Sequence, residues 1–221
     1  MARKFSEVRI GAYVIATICL ILIFLAFTTP NWLSSDRRAY GAEFVKLGLW
    51  ETCFRSYASG FDLNKSKYYV GCRWILADEY QKLRKELEPP FFVAVQVFFT
   101  FGFVATVTGS ILILVLHLCL DRRKDKLIIS VIALLMLIAA LCCTLSVIIF
   151  GAMGNREGWM PDPLHNYLSW SFGLGVVGAF FLYVASILFY SEWRLLKKRE
   201  KREDYERPYV FTQTGIKDAN C

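Results

Sequence analysis

Charge is missing from the longest stretches of this sequence. Residues 10–29, 91–120, 127–153 and 167–191 contain no Lys, Arg, Asp or Glu over 20, 30, 27 and 25 positions. A hydrocarbon core about 30 Å thick takes roughly 20 helical residues to cross, so each segment is long enough to span it. A soluble core can hold one such helix; four of them, separated by polar intervals, exclude a soluble domain and predict an all-α membrane bundle. Histidine is scarce as well, with only His117 and His165 in 221 residues. The spans hold no acid–base pair, no nucleophile with a base and no metal-ligand cluster, which excludes an enzyme. Repeated broken spans of the kind expected for many transporters are also missing. No catalytic, cofactor or metal site is therefore expected.

The first span has a basic lead of Arg3, Lys4 and Arg9. A removed signal would carry an apolar run of about 7–15 residues and a small-residue cleavage site. Here the run is longer and ends in Thr28-Thr29-Pro30-Asn31-Trp32, so it reads as a retained span. Residues 1–9, 121–126 and 192–221 carry 15 Lys plus Arg, against 11 in the longer segments 31–90 and 154–166. The positive-inside rule then puts both termini and the 121–126 turn in the cytoplasm, with residues 30–90 and 154–166 as outer loops. The net charge of +7 is mostly a topology signal and gives no reason to expect nucleic acid as a partner.

Of seven cysteines, Cys19, Cys142 and Cys143 lie within spans as small apolar side chains, and Cys119 ends span two, a candidate for S-palmitoylation. Cys53 and Cys72 are the two in the outer loops. Two thiols in an oxidising space are read as one disulfide, worth roughly 3 kcal/mol for a loop of this size; their number and spacing argue against zinc.

Residues 44–50, 52–57 and 67–74 are aromatic and β-branched enough for strands, with a turn or tip over 58–66. Asn64-Lys65-Ser66 is an acceptor triplet for N-glycosylation. Tyr80, Leu83 and Leu87 then share a helical face, with Asp78 as N-cap and Pro89-Pro90 as the stop. In the spans, small residues recur at four-residue spacing at Gly102, Thr106 and Ser110, at Ala105 and Gly109, and at Ser171, Gly175 and Ala179. That spacing serves close helix packing, here within the chain. Trp193 with Arg194, Lys197, Lys198, Arg199, Lys201 and Arg202 suits an anionic inner leaflet or a solvated topology anchor.

Together, Trp32, Gly48-Leu49-Trp50, Cys53, Cys72 and a basic residue ahead of span two, Arg84, form a constellation that resembles the claudin and PMP22-like tetraspan family. The likeness covers residues 1 to about 195. It implies a left-handed four-helix transmembrane bundle with a small extracellular antiparallel β-sheet. The motif residues themselves suit such a frame: Trp32 at the lipid boundary, Trp50 between sheet and helix ends, and Gly48 where a side chain would obstruct close approach. The resemblance further implies a structural cell–cell junction protein of the lateral plasma membrane, forming or organising a paracellular barrier or pore. Its partners would be other claudin-like or junction proteins in cis and in trans, besides membrane lipids, with loop tips 58–67 and 155–163 as contact candidates.

Two features depart from the vertebrate pattern. The 18 residues between the cysteines make a long interval, and Tyr209-Val210 is internal, so it supplies no terminal signal to a cytoplasmic PDZ scaffold. These departures resemble a divergent invertebrate member of septate junctions. The alternative reading is an accessory tetraspan subunit of an ion channel or signalling complex.

Overall fold

The protein is described by a computed structural model covering residues 7–36, 43–58, 68–81, 83–118 and 125–218. Helix α1 (Glu7–Thr28) leads into strand β1 (Leu33–Ser35). Strands β2 (Phe44–Leu47), β3 (Glu51–Ala58) and β4 (Tyr68–Trp74) follow, then a 3-10 turn (Asp78–Tyr80) and a single helical turn, α2 (Arg84–Leu87). The long helices α3 (Pro90–Leu118) and α4 (Asp125–Met153) come next, then a 3-10 turn (Pro163–His165), strand β5 (Asn166–Leu168) and helix α5 (Trp170–Asp218).

Four of these helices, α1, α3, α4 and the first part of α5, are long and apolar enough to cross a membrane. They pack as a bundle in which α1 lies against α3 and α5, and α4 against α3 and α5. Exposed Phe101, Leu134, Ile148 and Phe180 cover its outside. That pattern is unfavourable in water but natural in lipid, where hydrocarbon replaces solvent. Small residues let the backbones close up: a Cβ at Gly102 would collide with the Cys143 thiol and sit 3.2 Å from the carbonyl oxygen of Ala139. Interhelical hydrogen bonds add direction, from Ser146 Oγ to the Val95 carbonyl (3.0 Å) and from Ser186 Oγ to the Ala133 carbonyl (3.0 Å). The recurring small residues thus serve packing within the chain.

One end of the bundle carries a five-stranded antiparallel sheet in the order β4-β3-β2-β1-β5. The three strands expected from sequence are β2, β3 and β4. Strands β1 and β5 were not expected, and β5 corrects the start of span four: Tyr167 and Leu168 pair with β1 instead of opening a helix. The cause is tertiary. The end of α1 and the start of α5 are neighbours in the bundle, and their adjoining residues pair, with Ser169 N donating to Trp32 O (2.9 Å) and Asp36 N to His165 O (2.9 Å).

Two further expectations need correction. The helix over 78–88 is a 3-10 turn followed by one α-turn, although Tyr80, Leu83 and Leu87 are all buried as a shared face requires. Asp78 caps nothing; Ala77 occupies the cap position without a side-chain hydrogen bond. Helix α5 runs for 49 residues and carries the charged stretch beyond residue 191 with it. At 1.5 Å per residue that is about 74 Å, more than twice the hydrocarbon thickness.

Candidate functional site

The predicted motif residues converge where the sheet meets the helix ends. Gly48 begins the turn between β2 and β3, and a Cβ there would lie 2.5 Å from Pro30 Cα and 2.7 Å from the Thr29 carbonyl oxygen. Only glycine permits the turn to rest on the end of α1. The next carbonyl, Leu49 O, accepts from Gln96 Nε2 of α3 at 2.7 Å. Trp50 O accepts from Ile75 N at 2.8 Å, and the Trp50 ring packs edge-on to Phe27 of α1. Gly48-Leu49-Trp50 is therefore a clamp that fixes the hairpin to two helices and to the chain leaving β4.

Trp32 is fully buried, which corrects the expectation of an indole facing the lipid boundary. Its Nε1 donates to the Ala26 carbonyl at 2.7 Å, satisfying one of the unpaired carbonyls at the end of α1. Its ring meets Phe99, Phe150 and Phe172 edge-on at 5.1, 5.0 and 5.7 Å, one from each of the other three long helices. Thr29 and Ser171 complete this junction with a hydroxyl–hydroxyl contact of 2.8 Å.

Cys53 and Cys72 form the expected disulfide, across directly paired positions of β3 and β4. Glu51 approaches them, but with both sulfurs in the disulfide no thiolate is available to a metal. Arg84 braces the connection to α3: its guanidinium donates to the Leu76 carbonyl at 3.2 Å and lies 3.6 Å from the carboxylate of Glu88. Tyr57 donates to Glu86 at 2.8 Å; burial, then that hydrogen bond and the Glu86 charge, push its phenol well above the usual range. Asn64, Cys119 and the loop-tip residues 59–67 lie outside the described residues.

Three contributors were not singled out as site residues in the sequence. Gln96 is an isolated polar residue in a span, and its partner is a loop carbonyl 47 positions away. Trp159 pins the second outer loop by packing on Phe91 and Phe92 at 4.9 and 5.2 Å. At the opposite end of the bundle, Arg9 of α1 lies 3.2 Å from Glu192 of α5 and 3.5 Å from Asp125 of α4, all three buried. A count of charges per segment treats these as topology markers, and nothing in their local sequence marks them as core.

Strand β4 is the sheet edge farthest from β5, and it exposes Tyr68, Val70 and Trp74, at 57%, 60% and 60%. The clamp and the disulfide hold that edge in a fixed position relative to the bundle.

Comparison with curated proteins finds no match. The family model described as PMP-22/EMP/MP20/Claudin tight junction matches residues 14–191, from the first span to the fourth, and includes every motif residue named above. The chain is a multi-pass membrane protein that belongs to the PMP-22/EMP/MP20/claudin family.

Proposed function

We propose that the protein is a structural component of lateral cell–cell contacts that organises a paracellular barrier or pore, in junctions of the septate type. In this reading the sheet faces the intercellular space and both tails lie in the cytosol. The observation that carries it is the sheet itself: strands from both outer loops are knitted into one unit, stapled by Cys53–Cys72 and clamped to the helices. A surface held this rigidly loses little entropy on meeting another molecule. The β4 edge adds exposed apolar side chains suited to association with a like chain, in cis or in trans.

Residues 31–90 contain 10 basic and 8 acidic side chains, a near balance that favours neither cation nor anion passage. Depleting the protein from an epithelium that expresses it tests the proposal. Transepithelial resistance should fall and tracer leakage rise, and freeze-fracture should reveal disrupted strands. Unchanged resistance and intact strands, with the protein confined to a channel complex in nonepithelial membrane, would assign it instead to an accessory tetraspan subunit.

A further inference from the structure

Beyond the sheet, α5 carries an unusual division of charge as it leaves the bundle. Twenty residues from Trp170 cover about 30 Å, which brings Tyr190 to the boundary of the hydrocarbon. Trp193 follows at interfacial depth, where aromatic rings are favoured. Arg194, Lys197, Lys198 and Lys201 then stand at relative positions 0, 3, 4 and 7, one face of a helix, and all four are exposed. The opposite face carries Glu192, Leu196 and Glu200. Glu192 is buried on Arg9, Leu196 packs on the core and Glu200 pairs with Lys126. Glu192, Leu196 and Glu200 thus turn toward the bundle while these four cations turn away from it.

A charged segment that only marks topology has no need of such sidedness. Among the described residues no carboxylate pairs with any of the four cations; Lys197 instead lies 5.1 Å over the Trp193 ring. Tyr190 and Trp193 adjoin them on the same helix. Four cations along roughly 10 Å of helix, beginning at the hydrocarbon edge, match the size and depth of a headgroup carrying several phosphates. A headgroup of net charge −1 offers the same four cations far less charge.

We infer that this face of α5 is a binding site for a polyphosphorylated inositol phospholipid of the inner leaflet. The inference rests on the membrane orientation proposed above, whereas the assay does not depend on it. The full chain is purified in detergent micelles and titrated with phosphatidylinositol bisphosphate, with phosphatidylserine as comparison, and bound lipid is counted by native mass spectrometry.

The bisphosphate should bind in a one-to-one adduct, at least about tenfold tighter than phosphatidylserine. Lys198→Gln with Lys201→Gln should weaken it about thirtyfold, the worth of two surface cations. Lys126→Gln with Arg199→Gln removes the same charge from outside the stripe and should weaken it less than threefold. Equal losses for the two pairs, equal binding of the two lipids, or no adduct would each overturn the inference. Orientation is read separately, by antibody access to a tag between residues 58 and 67 in intact cells, so its failure leaves the micelle result standing.

Discussion

At the sheet end of the bundle the helices meet on aromatic rings and are tied by a hydrogen bond to a sheet that a disulfide staples, whereas at the other end three of them meet on the buried side chains of Arg9, Asp125 and Glu192. The first arrangement uses groups that are neutral, and its polar contacts are short and directed. The second places charges where desolvation is costly, and its balance depends on keeping the set together. The sheet end should therefore fail through lost packing and the tail end through lost compensation. Only the second kind of damage should be reversible by removing further charge.

Trp32→Ala is the largest expected blow to the sheet end. It deletes a fully buried indole at the meeting of four helices and leaves the Ala26 carbonyl without its indole donor, at a cost of about 3–5 kcal/mol or more. A drop in the thermal midpoint in micelles, with no rescue by neutralising substitutions, is the expected outcome. Arg9→Met is the counterpart at the tail end and should cost about 3–5 kcal/mol, because it leaves Asp125 and Glu192 buried without this cation. Adding Asp125→Asn and Glu192→Gln should restore most of the midpoint. If the triple variant is no more stable than Arg9→Met alone, the contrast between the two ends is wrong.

Replacing both Cys53 and Cys72 with alanine should cost roughly 3 kcal/mol and act on the sheet alone. Amide exchange should accelerate in β3 and β4 while the helices keep their protection. The smallest effect concerns His165, an exposed residue just ahead of β5. A 2.8 Å hydrogen bond to Asp162, and the charge behind it, hold its imidazole pKa above the ordinary value. Any contribution to stability is thus complete below about pH 6.5 and fades as pH rises through the raised value. Asp162→Asn should return the histidine toward its ordinary titration, read by ring NMR shifts; an unaltered curve would show that Asp162 does not set it.

The two ends also differ in how legible they are in the sequence. Long charge-free runs declare their environment one residue at a time, so the four spans can be counted from the residues alone. Strands β2, β3 and β4 are visible because aromatic and β-branched residues cluster there, and the disulfide because two cysteines share an outer loop. Strands β1 and β5 have three residues each, too few to show a period. Trp32 looks like an interface anchor because an indole after a span commonly is one, and only its neighbours from the other long helices reveal a buried hub. At the tail end, Arg9, Asp125 and Glu192 read as ordinary flanking charges, and only the packing of three helices makes them core.

Composition and periodicity by themselves determined the four spans, the central hairpins and the joined thiols, because each follows from local chemistry summed along the chain. Tertiary structure alone decided that both outer loops share one sheet, that Gln96 holds the Leu49 carbonyl, and that Arg9, Asp125 and Glu192 form a buried set. These are pairings between residues 47 to 183 positions apart. Their partners are selected by how the helices pack, and no local pattern encodes that choice.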